Sequence, residues 1–591
     1  IGTRHSLPVL DILTPSGHLN DQAGIYAGLS REEARLRILE GLEREGFLEK
    51  TEPYHHNVGH SERTDAVVEP RLSDQWFVRM RPLAELALQA VEQGEIQILP
   101  ERFLATYRHW LENVKDWCIS RQLWWGHRIP AWYAEDGTLF VAPTEEEAKA
   151  EAAAKGYDPQ KLHQEEDVLD TWFSSWLWPL SVFDFFENPD NADFRYYYPT
   201  QVLITAPEIL FFWVARMIMA GYYFAGKKPF SVVYLHGIVR DKLRRKMSKS
   251  LGNSPDPLDL IARYGADAVR MGIVMSAPAG NDLLFDEALC EQGKNFANKL
   301  WNSFRLLSLW REKAANQALL PFQQQAYEWF VLRLKVLQHE VEARLAEYRF
   351  YEALHTLYRG IWEDFCSWYL EALKPGPPQD LLEKVEEQAI ILLQLLHPFM
   401  PYITEELWHA LTGKEEKESV GLLPLVTLSS LKEEEKELLD AVAYAQDAIM
   451  RLRGLRQSFS LSSDFDLSVQ TDRPGLFEKV EGWFRHFLPL RSWTILQKPL
   501  DRPALRLVFQ REVYFIEVNE GGISWEILRE KLEKELAHVE NFLHQLEAKL
   551  SNPTFRQKAA PEVIAREEKK RADTEARRHL LLEQLHSLQS L

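Results

Sequence analysis

A chain of 591 residues is too long for one hydrophobic core and, at about 150 residues per domain, divides into roughly four. Its 46% hydrophobic and 27% charged residues are those of an ordinary globular protein, and three scattered cysteines, Cys118, Cys290 and Cys366, exclude a disulfide framework or a cysteine-rich zinc knuckle and fit a reducing cytoplasm. A formal charge of −19 speaks against a nucleic-acid partner unless basic residues are gathered locally, and the most apolar stretch, Ile209 to Tyr223, is short and carries Arg216, so no membrane span is expected.

The chain begins at Ile1 without an initiator Met or a leader, which suggests a fragment. Residues 1 to about 80 read as the tail of a domain, with short strands over Leu7–Leu13 and an amphipathic helix from Ser30 to Arg44 opened by a Ser30–Glu33 capping box. His56-Asn-Val-Gly-His60 lies in a charged, strandless setting and reads as surface or packing histidines. With no cysteine or third ligand nearby, no metal site is expected there. Two Trp-rich blocks follow, Asp116 to Pro130 and Asp167 to Pro179, and residue type leaves core packing and a substrate pocket both open. Between them, 134–166 is rich in Ala, Glu and Lys and reads as a small surface insertion.

Gln201 to Ile238 predicts a βαβ unit, with strands at Val202–Thr205 and Val232–Leu235 around a helix from Glu208 to Met219. Ligands bind at the carboxyl ends of strands in open α/β sheets, which places Thr205, Glu208, His236 and Gly237 at a candidate site. The stretch Arg240-Asp-Lys-Leu-Arg-Arg-Lys-Met-Ser-Lys249 then packs six cations against one acid. A basic loop between a core strand and a helix capped by Asp256-Pro257 and stopped at Gly265 suits a polyphosphate; charge alone also allows a solvated loop.

From Trp301 to about Arg456 the pattern is helical. Leu334, Leu337, Val341, Leu345 and Tyr348, then Tyr358, Ile361, Trp362, Phe365 and Tyr369, recur at spacings of three and four, and Pro375-Gly-Pro-Pro378 and His397–Pro401 break the run. Asp464 to Val518 alternates in short strands and predicts a small α+β domain. Leu532, Leu536, Val539, Leu543, Leu546 and Leu550 form a heptad seam, and a second charged helix from about Pro561 carries Leu581, Leu585 and Leu588, so an antiparallel hairpin is expected. Within it, Lys549 to Arg578 holds nine cations against five acids. Arg566, Lys569, Lys570, Arg571, Arg577 and Arg578 could lie along phosphates or form a solvated coiled-coil face.

Lys246-Met-Ser-Lys-Ser250 followed by Gly252-Asn253 is the Lys-Met-Ser-Lys-Ser signature of class I aminoacyl-tRNA synthetases. With Trp117–Pro130 and Asp167–Ser175 it resembles the isoleucine/valine/leucine group, and Phe211–Met217, Asp364–Leu370 and Lys549–Phe555 are similar to the valyl-tRNA synthetase family. The resemblance implies an α/β Rossmann-type catalytic core (second half), an all-α anticodon-binding bundle, a small α+β linker and a C-terminal coiled-coil hairpin. In those terms 1–70 would end an editing domain, 71–254 form the catalytic half with the insertion 134–166, and 255–300 connect. Then 301–456 would read the anticodon, 457–522 link, and 523–591 form a tRNA-binding arm. It further implies ATP-dependent activation of valine, with Mg²⁺ on the substrate, transfer to tRNA(Val), and editing of mischarged threonine, in a monomeric cytoplasmic ligase without a membrane partner. Lys246 and Lys249 are the implied catalytic residues. Lys249, Ser248, Ser250, His236, Gly237 and Glu208 are implied for ATP, and Trp125 and Trp172 for the amino-acid pocket. Two departures stand out: Ala206-Pro207 before Glu208, and Leu243-Arg244-Arg245 where relatives carry a glycine-containing turn. The His-Ile-Gly-His half-site is not found in this chain, so the chain alone is expected to bind tRNA with a steep salt dependence without making valyl-adenylate. Two alternatives stay open, a non-catalytic tRNA-binding or scaffold protein derived from a synthetase, and an isoleucyl-tRNA synthetase relative.

Overall fold

The computed structural model describes residues 2–61, 64–248, 251–277, 281–314, 317–415, 417–458, 464–498, 500, 504–517, 525–552 and 561–589. It contains two compact units, one from Ile1–Leu203 and Glu208–Val233, the other from Ile204–Pro207 and Tyr234–Leu591.

In the first unit the helix Arg31–Arg44 starts on the expected capping box. The Glu33 amide donates to Ser30 Oγ and the Ser30 amide to Glu33 Oε2, both at 3.2 Å. The strands expected over Leu7–Leu13 do not form. Val9 and Leu10 are exposed, and among the described residues, apart from a single bridge between Leu13 and Leu19, no neighbouring strand supplies the ladder that extended backbone requires. His56 stacks on Tyr54 with ring centroids 5.6 Å apart, and His60 Nδ1 lies 2.8 Å from the Asp65 carbonyl; both imidazoles are exposed.

The stretch read as a surface insertion is a module with its own core. Strands Ala131–Tyr133, Leu139–Val141 and His163–Gln164 form an antiparallel sheet, and helix Glu145–Ala154 lays Ala148 and Ala152 over Trp132 and Phe140. The Ala-rich helix face is what lets so small a module close, because methyl side chains bring helix and sheet together without a side-chain entropy cost.

The βαβ unit has Thr200–Thr205 and Phe230–Leu235 as neighbours, with Gln97–Leu99 on the far side of Phe230–Leu235. The Thr200 amide donates to the Pro229 carbonyl and the His236 amide to the Thr205 carbonyl, so the pairing advances in the same direction along both strands, as in a parallel sheet. The connecting helix, Pro207–Ala225, is π-wound at Leu210–Ala215 and Gly221–Ala225. An 18-residue stretch of this 19-residue helix reaches a mean hydropathy of 1.3, and among the described residues it alone is long and apolar enough, by length and composition, to cross a membrane. Its apolarity has a local use, since Leu210, Val214, Met217 and Ile218 are buried and the helix packs on Arg81–Glu92 and Phe103–Glu112.

In the second unit the helix Pro257–Tyr264 carries Asp256 as N-cap and ends at Gly265, whose φ of +90° suits glycine, both as the sequence predicts. Ala266–Met275 and Glu287–Arg311 lead into the bundle of Pro321–Ala346, Phe350–Tyr369, Gln379–Leu396, Pro401–Thr412 and Glu433–Ser458. The two proline-containing breaks fall between helices as expected. Asp364–Leu370 lies within a π-wound turn and serves packing: Asp364 pairs with Arg333 at 2.8 Å, Ser303 Oγ approaches Cys366 Sγ at 3.0 Å, and Tyr369 donates to Gln388 at 2.7 Å.

The α+β segment is a four-stranded sheet in the order Leu490–Leu496, Phe465–Gln470, Glu512–Glu517, Leu505–Phe509, with helix Pro474–Phe487 against it. It shares one core with the bundle, where Trp483 meets Trp329 and Phe322 at centroid distances of 5.0 and 5.3 Å. The arm is the expected hairpin of Trp525–Ser551 and Pro561–Gln589, closed over Leu532, Val539, Leu543, Leu546 and Leu550 from one helix and Leu581 and Leu585 from the other.

Candidate functional site

Each unit contributes its own set of candidate groups. In the first, Trp125 and Trp172 line one open cavity of about 490 Å³ with Arg121, His127, Asp170 and Ser174. Asp170 organises it. Its Oδ1 accepts the Trp172 amide at 2.9 Å as the N-cap of Thr171–Ser175, while Oδ2 accepts the Trp117 indole at 3.2 Å and pairs with Arg121. Trp125 stands 93% exposed on a turn that needs glycine next to it, since a Cβ on Gly126 would lie 2.9 Å from Val168 and its φ is +155°. Trp125 thus stands at the rim of this cavity, and Trp172 is half-buried.

Behind Trp117 lies Arg216, only 8% exposed, with its guanidinium carbon 3.5 Å from the centre of the indole ring. Burial pulls the Arg216 pKa down to about 10, against the attraction of Asp170 and with the repulsion of Arg121. Of these charged groups Arg121 and Asp170 line the cavity, while Arg216 lies against the Trp117 ring. Sequence reasoning assigns none of the three a role at the site; Arg121 and Asp170 are signalled only as charged residues inside the Trp-rich blocks, and Arg216 only as the charge in an apolar stretch. Glu208, also of this unit, is exposed on a 3₁₀ turn, Pro207–Ile209.

In the second unit His236 follows the strand Phe230–Leu235, exposed, with Nδ1 2.8 Å from the Gly237 carbonyl. Gly237 is required by close approach, because a Cβ there would fall 1.6 Å from the Asn281 carbonyl oxygen. The chain then forms Val239–Arg240, paired in parallel with Leu283–Leu284, and turns back so that Arg240 bridges Lys246. Asp282 holds the root of this loop by accepting the Ile238 amide at 3.2 Å and pairing with Arg240. Asp241, given no role from sequence, and Asn253, known there only as the end of the signature, hold the rest. Arg244 has φ +63°, the left-handed conformation that glycine adopts most readily, so Leu243-Arg244-Arg245 turns at the usual cost of a non-glycine residue there. Lys246 is exposed and Ser248 partly so, while Lys249 and Ser250 lie outside the described residues.

Among the arm cations, Arg577 pairs with Glu535 and Arg578 with Glu540 at 3.0 Å across the hairpin, and Lys570 pairs with Glu567 at 2.8 Å. Lys569 is exposed and Arg571 half-buried; the side chain of Arg566 lies outside the described residues. Several cations expected on phosphates therefore hold acids of the arm itself.

The structure has a parallel strand, a clamped basic loop, a helical bundle and a terminal helical hairpin, and the sequence matches three family models. Residues 29–286 match tRNA synthetases class I (I, L, M and V), 328–471 the anticodon-binding domain of tRNA ligase, and 526–589 the valyl tRNA synthetase tRNA binding arm. The chain is 45% identical to the valine--tRNA ligase of Bacteroides fragilis and to that of Porphyromonas gingivalis, in each case over 100% of this chain and 68% of the relative. It is 41% identical to that of Chlorobaculum tepidum over 96% of this chain and 65% of that protein. The chain belongs to the valine--tRNA ligase family of class I synthetases.

Proposed function

We propose that this chain carries the nucleotide-loop half of the catalytic site and the tRNA-binding surfaces of a valine-tRNA ligase, which joins valine to tRNA(Val) at the expense of ATP. The observation that carries this reading is the Lys246-Met-Ser-Lys-Ser250 loop, rooted beyond a parallel strand, in a chain alike throughout its length to valine--tRNA ligases. The valine carboxylate attacks the α-phosphate in line and pyrophosphate departs, so the protein positions groups and stabilises charge without a covalent intermediate. Lys246 and Lys249 neutralise the phosphates as charge moves to the leaving group. Ser248, Ser250, His236, Gly237 and Glu208 hold the nucleotide, whose phosphates bring Mg²⁺ with them. In the complete enzyme, losing Lys249 should raise the barrier of activation by about 2 to 4 kcal/mol.

Trp125 and Trp172 would flank the valine side chain. A hydrocarbon pocket rejects isosteric threonine only about 100-fold, so accuracy requires hydrolytic editing, and residues 1–70 resemble the end of such a domain. On this reading the enzyme is monomeric and cytoplasmic, the domains follow the boundaries proposed from sequence, and the arm cations contact tRNA phosphates. The heptad seam and interhelical ion pairs of the arm favour it as a rigid lever over a loose basic tail.

Filter binding of labelled tRNA to this chain tests the reading. We expect tRNA(Val) to bind at least tenfold more tightly than a tRNA of another identity at equal salt; equal affinity would sink the ligase assignment in favour of a general RNA-binding scaffold.

A further inference from the structure

The loop that carries Lys246 and Ser248 concentrates cations that repel one another, and beside the backbone bonds that turn it one carboxylate gathers four donors. Asp241 Oδ1 accepts the amides of Leu243 and Arg245, each at 2.9 Å, and Oδ2 accepts Arg245 Nε at 2.8 Å and Asn253 Nδ2 at 3.0 Å. The side chain is only 13% exposed. Asn253 completes the closure. Its Oδ1 accepts the Ser248 amide at 2.9 Å and its Nδ2 also donates to the Lys246 carbonyl at 3.3 Å.

The chemistry of the two groups fixes their order. A carboxylate accepts only, so Asn253 must turn its NH₂ toward Asp241, and its oxygen is then the end left for Ser248. The orientation of one carboxamide thus passes from Asp241 to the backbone of Lys246 and Ser248. We propose that Asp241 is a positioning residue which, acting through Asn253, sets the loop for a polyphosphate ligand; this rests on the reading of the loop as the ATP site. The benefit is preorganisation, since a loop already closed loses less conformational freedom when the phosphates arrive.

The test uses the 591-residue chain. In Asp241→Asn, one acceptor oxygen becomes an NH₂ facing two donors, Arg245 Nε and Asn253 Nδ2. We expect amide hydrogen exchange across 241–253 to accelerate about tenfold or more while the helices Pro257–Tyr264 and Ala266–Met275 keep their protection, and the affinity for ATP or inorganic pyrophosphate to fall about tenfold. Adding Asn253→Asp restores a donor–acceptor pair with the roles reversed and retains the acceptor for Ser248, so it should recover part of both losses.

Unchanged exchange in 241–253 would overturn the proposal, as would a loss spread evenly over the helices, or faster exchange in the loop with no loss of affinity. Lys246→Ala separates this from the underlying reading. If the unaltered chain binds pyrophosphate and Lys246→Ala does not weaken it, the phosphate assignment of the loop fails and the positioning role fails with it, even where the exchange result shows that the Asp241–Asn253 closure is real.

Discussion

Gly237 and Asp267 show how single residues hold the second unit in shape. Alanine at 237 would drive its methyl into the Asn281 carbonyl, a backbone atom that cannot rotate away as a side chain could. We expect Gly237→Ala to cost about 1 to 3 kcal/mol in urea unfolding of the chain, and a wild-type midpoint would mean that the 281 backbone does not pack there. Asp267, buried, accepts the amides of Tyr402 and Ile403 at 3.3 and 2.6 Å and so caps the bundle helix Pro401–Thr412 from outside it. Asp241 offers a pH test at the same scale. Its carboxyl is pulled down to about 2, first by the Asn253 hydrogen bond and further by Arg245. Because the folded value is depressed, its contribution is full above the ordinary aspartate value of about 4 and declines only as pH falls from there toward 2. The side-chain amide resonance of Asn253 should therefore hold steady between pH 7 and 4; a titration centred near 4 would show a carboxylate not engaged as described.

At the scale of elements, periodicity carried most of the information. The Ser30–Glu33 box, the Asp256 and Gly265 helix ends, the bundle breaks and the arm seam are local devices, written in adjacent residues, and they formed where the spacing placed them. Leu7–Leu13 did not become strands because a strand is completed by a neighbour, which its own residues cannot specify. The candidate site divides along the same line. The Lys-Met-Ser-Lys-Ser run is contiguous and legible, whereas Asp170 binds Trp117, Arg121 and Trp172 from different elements, and only the fold reveals that convergence. The arm separates packing from charge in a way that can be measured. Leu532 is fully buried, so Leu532→Ala should cost about 2 to 5 kcal/mol in thermal unfolding of the arm. Arg577 pairs with Glu535 with 64% of its side chain exposed, and Arg577→Ala should change stability by less than about 1 kcal/mol. If both substitutions melt alike, the seam is not what holds the hairpin.

For the whole molecule the question is how, on the proposed function, a chain of net charge −19 would hold a polyanion. Phosphate contacts release counterions, so each cation engaged steepens the fall of log affinity with log salt by about 0.7 to 0.9. The arm adds a complication that net charge hides, since Arg577 and Arg578 already neutralise Glu535 and Glu540. These are surface pairs, weak enough for a phosphate to draw the guanidinium away, but removing the arginine leaves a bare carboxylate facing the RNA. The two kinds of cation should then behave differently. Neutralising Lys569, exposed, should weaken tRNA binding modestly and reduce the salt slope by about one. Arg577→Ala with Arg578→Ala should weaken it more than two such units, because two repulsions are added to two lost attractions. Removing Glu535 and Glu540 in the same protein should return much of that affinity without returning the slope. Filter-binding titrations between 50 and 200 mM salt distinguish the cases. If the quadruple variant binds no better than the double, the arginines contact RNA without competition from their acids, and the pairing across the hairpin plays no part in how the arm meets tRNA.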